Sequence, residues 1–358
     1  MIWWVTATAC ISDAIRVASF NTELNRAGPG LLFRDILRGD DTQIDAVVQV
    51  IIAVQPDVLL LQSFDYDFER QALKAFAALL GKQGKEYPYL FALRPNTGLQ
   101  TGIDMNGDGR SGQPEDGQGY GRFSGQGGMA LLSVFPILET EVRDFASFLW
   151  RDLPEALMPE VEGKPFPSEE AQQVQRLSSV AHWDVPIELS NSQTLHLFAY
   201  HATPPVFDGP EDRNGRRNHD ETAFWQHYLD GALPERKTEA PFVILGDANL
   251  DPLDGDGRHA ALSSLLKHHR IQDPAPTSAG GADAARKQSG VNDAHRGDPA
   301  LDTVDWPDFT GRPGNLRVDY VLPSADLRVA DSGVFWPLDD TLVTDASRHR
   351  LVWVDLEF

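Results

Sequence analysis

Short apolar runs that end in polar side chains recur along this chain and predict buried strands. In the clearest one, Phe242-Val-Ile-Leu245 leads into Gly246-Asp247-Ala248-Asn249. An apolar, partly β-branched run is typical of a buried strand, and layered α/β folds gather ligands and chemistry at the carboxyl ends of their strands. Taken alone, Gly-Asp-Ala-Asn is equally typical of a turn. The assignment therefore depends on whether other strands end in the same way.

Five further segments repeat the pattern and are predicted as strands over 15–20, 57–62, 194–200, 317–322 and 351–356. Each has a polar side chain at its end or within it, and these are Asn21, Gln62, His201, Asp319 and His349. Between the first two strands, the apolar spacing predicts a helix over 42–54, with Thr42 as its N-cap and Pro56 just beyond its end.

In this order, the motifs resemble those of the endonuclease/exonuclease/phosphatase superfamily, which has the deoxyribonuclease-I-like fold. The matching segments are F-N at Asn21, G-x-A-x-L-S at 128–133, F-P-I at 135–137, His201, G-D-x-N at Asp247 and Asn249, R-x-D-Y at Asp319, and the last residue of S-D-H at His349. The resemblance covers about Ile15 to Phe358. It implies a four-layer α/β/β/α sandwich of two mixed β-sheets flanked by helices, and hydrolysis of phosphate esters assisted by Mg²⁺ or Mn²⁺.

The resemblance also implies roles for the polar residues. Asp247 would orient or deprotonate the attacking water, and Asn249 would donate to a phosphoryl oxygen. Asp319 would hold the imidazole of His349 in one tautomer, and His201 would bind the phosphate or protonate the leaving group. The predicted ligands of the catalytic ion are Asn21, Glu23 and Asp247.

Two departures from the family pattern each remove a carboxylate from the expected site. Ser63 stands where the family has its principal metal-ligating Glu, and Arg348 stands where the terminal S-D-H motif has Asp. Mg²⁺ relies on one or two carboxylates plus water, so the loss of its main ligand should weaken binding severely.

Three interpretations of these departures stay open. Glu23, Asp65 or Asp67 supplies the missing carboxylate, although Asp65 and Asp67 are also typical of turn residues that cap a helix starting near Phe68. Alternatively, the Arg348 guanidinium replaces the metal charge and holds the phosphate by two hydrogen bonds. In the third interpretation, the chain keeps the pocket without turnover.

A basic cluster lies in the segment 208–219, which is predicted to be a loop. Arg213, Arg216 and Arg217 stand among acidic neighbours there. We expect Arg213 and Arg217, with Arg348, to bind an anionic substrate at the mouth of the pocket. The alternative is a surface loop whose arginines pair with Glu211, Asp212 and Asp220.

A Gly- and Asp-rich insertion at about 97–127 contains a calcium-loop pattern. Asp104, Asn106, Asp108, Arg110 and Glu115 occupy the ligand positions of D-x-N-x-D-G-x₅-E, with Gly109 at the sharp turn. No helical pattern flanks the loop, so it does not predict an EF-hand pair. A structural Ca²⁺ loop is expected.

Composition narrows the range of partners. The formal net charge of −22 argues against tight binding of nucleic acid through a basic surface and favours a small phosphate-ester substrate, although a local arginine cluster leaves nucleic acid possible. We expect one domain over 15–358, a monomer, no membrane span, and weak order in the Ala/Gly/Asp-rich stretch 278–298.

The first 14 residues are predicted to be a truncated signal or leader. They are apolar, and Ala7-Thr8-Ala9-Cys10 is similar to a lipoprotein processing site. This favours export to the periplasm or the extracellular space.

The sequence therefore predicts a divalent-metal-dependent phosphoesterase for phosphate mono- or diesters, weakened at Ser63 and Arg348. The alternatives are an inactive binding module of the same fold and a metal-dependent nuclease.

Overall fold

The computed structural model describes residues 14–339 and 341–358, so nearly all of the predicted leader lies outside the described residues. The strands are β1 (Ile15–Asn21), β2 (Val58–Phe64), β3 (Tyr89–Phe91), β4 (Gly128–Ser133), β5 (Arg143–Asp144), β6 (Glu160–Val161), β7 (Lys164–Pro165), β8 (Ala181–Glu188), β9 (Thr194–His201), β10 (Phe242–Asp247), β11 (Val304–Asp305), β12 (Asn315–Leu316), β13 (Asp319–Pro323), β14 (Arg328–Phe335) and β15 (Leu351–Glu357). The helices are α1 (Leu31–Arg38), α2 (Thr42–Val54), α3 (Gln71–Lys82), α4 (Glu169–Val174), α5 (Arg213–Asp230), α6 (Ala260–Leu265), α7 (Ala279–Gln288) and α8 (Thr341–Ala346). None of these helices is long and apolar enough to cross a membrane.

Two mixed sheets form the centre of the fold. The first has the strand order β14-β15-β1-β2-β4-β3, and the second has the order β13-β10-β9-β8-β5. The pairs β1–β2 and β9–β10 are parallel, whereas the other neighbours are antiparallel. Residues of β1 contact β10 and β13, so the two sheets face each other. The predicted fold class is confirmed.

Two apolar cores account for the layering. The larger one joins α1, α2 and α3 to the first sheet and to the inner face of the second. The smaller one lies on the outer face of the second sheet, where α5 and α6 cover it. Its aromatic rings pack closely, with Phe198 stacked on Trp225 at 5.0 Å and on Phe242 at 4.9 Å. Helices therefore cover both outer faces of the paired sheets.

Helix α2 has the predicted bounds, but its cap is one residue earlier than predicted. The side chain of Asp41, not Thr42, accepts a hydrogen bond from the Ile44 amide at 3.0 Å. The helix ends at Val54, and its C-cap Gln55 has a φ of 56° just before Pro56. Its buried face includes the four apolar residues whose spacing predicted the helix, Ile44, Val47, Val48 and Ile51.

The prediction of weak order over 278–298 is wrong, because this stretch contains α7. Ser278 caps the helix by accepting a hydrogen bond from the Gly281 amide at 3.0 Å. A Cβ at Gly280 would clash with the carbonyl of Trp336, so the absence of side chains lets the helix pack against this residue. Glycines that suggested disorder in the sequence here permit close packing.

Candidate active site

Strand register brings three of the predicted site residues side by side. Asp247 on β10 pairs with His201 on β9 and with Asp319 on β13. Side chains of directly opposed residues project from the same face of a sheet. A Cβ at Gly246 would clash with the Tyr200 carbonyl oxygen, so a glycine is required next to Asp247 for the strands to approach closely.

The first sheet supplies two further residues from across the interface between the sheets. Asn21 ends β1, and its Nδ2 donates to Asp247 Oδ2 at 2.9 Å and lies 3.4 Å from His349 Nε2. His349 stands two residues before β15, and its Nδ1 lies 2.9 Å from Asp319 Oδ2. All of these side chains are buried. The structure therefore places Asn21, His201, Asp247, Asp319 and His349 in one cluster.

Asn249 also lies in this cluster, but its amide group faces the protein. Its Nδ2 donates to the Ala202 carbonyl at 2.9 Å and to Asp247 Oδ2 at 3.1 Å, and its backbone amide donates to Asp247 Oδ1 at 2.7 Å. The backbone of Asn249 has a φ of 47°, a conformation that Asn tolerates better than most residues. In this arrangement Asn249 orients the Asp247 carboxylate, so both of its Nδ2 hydrogens are already used.

Thr303, which had no signal in the sequence, completes the site around Asp319. Its hydroxyl donates to Asp319 Oδ2 at 2.9 Å and lies 3.0 Å from the amides of Val318 and Asp319, which donate to it. Thr303 lies 16 residues before Asp319 in an irregular segment, where no periodic pattern marks it. Its hydroxyl fixes the carboxylate that orients His349.

The two histidines of the site are driven to opposite protonation states. Burial tends to lower the pKa of His349, but Asp319, Asp247 and Glu23 outweigh it and raise the pKa to about 9. Burial and the positive charge of His349 lower the pKa of His201 to about 3. Near neutral pH, His349 is therefore an imidazolium and His201 is neutral. Opposed pKa values of this kind are typical of acid–base sites.

Asp247 is placed so that it can accept a proton near neutral pH. Burial and the neighbouring charge of Asp319 raise its pKa above the ordinary range of an Asp. His349, the Asn249 amide and Asn21 oppose this rise by stabilising the ionised form. His201 Nε2 lies 3.5 Å from Asp247 Oδ2.

Asp247, Asp319 and His349 form a group that could hold a divalent metal. One ligand atom of each lies within 4.8 Å of the other two. Asp319 Oδ1 is buried and has no hydrogen-bond partner in the described part of the chain. Carboxylate oxygens are suitable ligands for Mg²⁺ or Mn²⁺, whereas His349 would have to give up its proton before it could bind an ion. The two carboxylates present therefore fit the metal that the fold implies.

Glu23 and Arg348, which the sequence placed in separate roles, form one ion pair. Glu23 Oε1 accepts a hydrogen bond from Arg348 Nε at 2.9 Å and a second from Nη2, and Glu23 Oε2 accepts one from the Arg348 backbone amide at 2.9 Å. Burial alone would raise the pKa of Glu23, but Arg348 and the charge of His349 lower it overall. Neither side chain is free for the predicted role while this pair persists.

Asp65 and Asp67 do not supply the carboxylate that Ser63 lacks. Asp65 is buried, and its two oxygens accept hydrogen bonds from the amides of Arg26 and Gly127, each at 2.8 Å. Asp67 caps α3 by accepting from the amides of Gln71 and Ala72 at 2.6 and 2.8 Å. The capping interpretation is therefore correct for Asp67, with the helix beginning at Gln71 instead of near Phe68.

The prediction that Arg213 and Arg217 bind substrate at the pocket mouth is wrong for Arg217 and stays a prediction for Arg213. The predicted loop becomes α5 from Arg213 onward. Arg217 is only 6% exposed and donates to the carbonyls of Gln118, Arg176, Leu177 and Ser178. Arg213 donates to the carbonyl of Met105 in the insertion. These arginines attach the insertion and its neighbours to the second sheet, because buried carbonyls need donors.

The predicted calcium loop is folded around Asp104. Its carboxylate accepts from the amides of Gly107 and Gly109 at 2.6 and 2.7 Å, while Asn106 and Asp108 accept from the amides two residues further on. Asp116, adjacent to Glu115, is buried and accepts from the Met105 amide at 2.8 Å. Turns of this type need no ion to form. Binding of Ca²⁺ by this loop stays a prediction.

A second acidic group lies beside the site. Asp302, next to Thr303, is 7% exposed, and burial together with the charges of Asp251, Asp254 and Asp298 raises its pKa to about 8. Folding therefore increases the proton affinity of Asp302. Its favourable contribution to stability is complete below about pH 4 and is lost as the pH rises through 8.

Asp302→Asn is expected to stabilise the protein at pH 9 and to have a much smaller effect at pH 5. The gain at pH 9 should reach several kcal/mol, because each pKa unit is worth about 1.4 kcal/mol. Urea unfolding at both pH values measures it, with the exposed Asp331→Asn as the control. An equal effect of Asp302→Asn at pH 5 and pH 9 would refute the assigned pKa.

Two facing mixed sheets with a buried Asp–His–Asn cluster at one edge define a protein of the deoxyribonuclease-I-like fold. The chain belongs to the endonuclease/exonuclease/phosphatase family, whose model matches residues 18–349. The resemblance that the motifs indicated is thereby confirmed. Members of this superfamily are metal-dependent phosphoesterases and nucleases. None of the curated proteins matches the chain.

Solved structures of the same fold are similar in shape but distant in sequence. An endonuclease/exonuclease/phosphatase from Beutenbergia cavernae DSM 12333 is 16% identical with a TM-score of 0.56, and the match covers 97% of this chain and 72% of that one. A family protein from Leptotrichia buccalis C-1013-b is 15% identical with a TM-score of 0.52, covering 96% and 100%. The human Nocturnin catalytic domain with bound sulfate is 15% identical with a TM-score of 0.51, covering 97% and 94%. At this identity the likeness shows the fold.

Proposed function

We propose that this protein hydrolyses phosphate mono- or diesters with the help of a divalent metal. The observation that carries the proposal is the convergence of Asp247, Asp319 and His349 at the edge where the two sheets meet, with Asn21 and His201 against them. The raised pKa of Asp247 and the opposed pKa values of the two histidines support it.

Each residue has a task that its contacts allow. Asp247 accepts a proton from the attacking water, and Asn249 and Asn21 hold its carboxylate in place. His349, kept as an imidazolium by Asp319, stabilises negative charge on the phosphoryl oxygens. His201, neutral and beside Asp247, donates a hydrogen bond to the phosphate. A bound Mg²⁺ or Mn²⁺ would neutralise phosphate charge and stabilise the leaving oxygen.

A second candidate function is a binding module without turnover. Ser63 and the Glu23–Arg348 pair favour it, because together they leave the site with fewer free carboxylates than the family pattern implies. The phosphoesterase would turn over its substrate when a metal is bound, whereas the binding module would not.

The wild type is expected to hydrolyse bis-p-nitrophenyl phosphate or p-nitrophenyl phosphate with Mg²⁺ or Mn²⁺, and to lose this activity in EDTA. Ser63→Glu is expected to raise both metal affinity and rate, by about tenfold or more, since it adds a carboxylate at the position that lacks one. Ser63 already has a left-handed φ of 53°, a conformation that costs any residue with a Cβ about 1–2 kcal/mol, so the substitution adds little backbone strain.

Ser63→Gln is the matched control, since it has the same size and backbone strain without the charge. A gain in Ser63→Glu but not in Ser63→Gln supports a site that is intact except for this ligand. If neither the wild type nor Ser63→Glu hydrolyses either ester, the result would favour the binding module.

A further inference from the structure

The two side chains of the Glu23–Arg348 ion pair differ in their exposure to solvent. The Arg348 side chain is 60% exposed and the Glu23 side chain is 22% exposed. Within the described part of the chain, Glu23 is the only partner of the Arg348 guanidinium. Because most of the Arg348 side chain is already in solvent, the guanidinium can leave the pair without being withdrawn from the interior, whereas Glu23 stays beside the site.

Glu23 is fixed next to the site by its own backbone and by Ser347. Its amide donates to Asn21 Oδ1 at 3.3 Å, and its φ of 50° is uncommon for a Glu. The Ser347 hydroxyl donates to the Asn21 carbonyl at 2.8 Å, lies 3.3 Å from Glu23 Oε2, and accepts from the His349 amide at 3.1 Å. One hydroxyl thus connects Glu23 to two residues of the site. Uncommon backbone conformations of this kind are frequent at functional sites.

Glu23 is also next in sequence to Thr22, the residue that follows the strand pairing at the position that lacks a carboxylate. Asn21 on β1 pairs with Gln62 on β2, and the next residues along are Thr22 and Ser63. The Thr22 amide donates to the Gln62 carbonyl at 3.1 Å, which continues the pairing to this point. Without Arg348, Glu23 would raise the number of carboxylates available to an ion from two to three.

We propose that Glu23 is a ligand of the divalent ion in this site, and that the Arg348 guanidinium competes with the ion for the Glu23 carboxylate. This rests on the proposed function, which places an ion beside the Asp247 and Asp319 carboxylates. In the resting protein, Arg348 neutralises Glu23. An arriving ion releases the arginine, so the apparent affinity for metal is set by this exchange.

Mn²⁺ binding, followed by electron paramagnetic resonance of the free ion, tests the proposal. Arg348→Met should lower the Mn²⁺ dissociation constant about three- to tenfold, because the competitor is gone. Glu23→Gln should raise the constant, and Arg348→Met should have no effect in the Glu23→Gln background. The matched control is Arg328→Met, which removes a similarly exposed arginine from Glu357, about 20 Å along β15 from the site. It should leave the dissociation constant unchanged.

Three results would overturn the proposal. The first is an unchanged dissociation constant in Arg348→Met. The second is an equal gain in the Glu23→Gln background, which would show a general effect of removing positive charge. The third is the absence of Mn²⁺ binding in every variant.

Ester hydrolysis measured on the same samples separates this proposal from the proposed function. Metal-dependent turnover together with either of the first two results would leave the function standing and overturn only the competition. Absence of both binding and turnover would overturn both.

Discussion

Asp247→Asn is expected to lower kcat for ester hydrolysis by about 10³-fold, the largest loss of any single substitution in this protein. Removal of a positioned general base typically costs 10²–10⁴-fold, and Asp247 is also one of the three residues that could hold the metal. The Asn249 amide donates to Oδ1 and Asn21 donates to Oδ2, so an Asn keeps an acceptor for only one of them and some loss of stability is expected beside the loss of rate. Steady-state kinetics together with thermal unfolding measure the two effects.

Asp302→Asn is the matched control for Asp247→Asn. It removes a buried carboxylate from the same region, but the charges that act on Asp302 are those of Asp251, Asp254 and Asp298, which are not among the clustered site residues. Its kcat should stay within about threefold of the wild type. If Asp247→Asn has the same kcat as Asp302→Asn, Asp247 takes no part in the reaction.

Asp319→Asn is expected to lower kcat by about 10²-fold at pH 8 and to change the shape of the pH profile. The charge of Asp319 is the main reason that the pKa of His349 is raised to about 9, because burial alone would lower it. Without that charge the pKa of His349 falls, and His349 is neutral at pH 8. Activity lost at pH 8 should partly return as the pH is lowered towards 6, where the imidazolium forms again.

Two measurements check this result. The rate of Asp319→Asn from pH 5.5 to 9 gives the profile, and NMR titration of His349 gives its pKa in wild type and variant. Thr303→Val removes the hydroxyl that donates to Asp319. It should shift the pH–rate profile and the His349 pKa in the same direction as Asp319→Asn does, but to a smaller extent. An unchanged His349 pKa in Asp319→Asn would refute the role given to the pair.

Much of the fold could be predicted because the spacing of apolar residues along the chain is regular. The run 58–62 is apolar enough to be buried on both faces, and α2 carries one apolar face over 13 residues. The stretch 278–298 could not be predicted in the same way. A small-residue helix buries little apolar area of its own, and the neighbour that makes α7 pack, Trp336, is distant in sequence.

The core of the site could be predicted because strand ends are marked locally. Asp247 and Asn249 follow a strand directly, and His201 ends another, so register alone brings them together. The partners of Arg217 and Arg348 could not be predicted, because they depend on long-range packing. An arginine in a polar segment looks exposed in sequence, yet Arg217 is buried and donates to four backbone carbonyls.

Thr303 and the Glu23–Arg348 pair show a second limit. Their interactions connect residues 16 and 325 positions apart, and no spacing rule covers such distances. The sequence identified Glu23 and Arg348 as separate candidates for the missing charge. Only the structure shows that these two side chains form an ion pair with each other. The question is therefore no longer which residue substitutes for Ser63, but how an ion displaces Arg348 from Glu23.

The most direct test of the central claim is hydrolysis of bis-p-nitrophenyl phosphate by wild type and Asp247→Asn, purified side by side, before EDTA, after EDTA, and after Mn²⁺ is restored. The proposed function predicts turnover that disappears in EDTA and returns with Mn²⁺ in the wild type, and little turnover at any stage in Asp247→Asn. Turnover that is insensitive to EDTA, or equal in the two proteins, would contradict a metal-assisted reaction at Asp247.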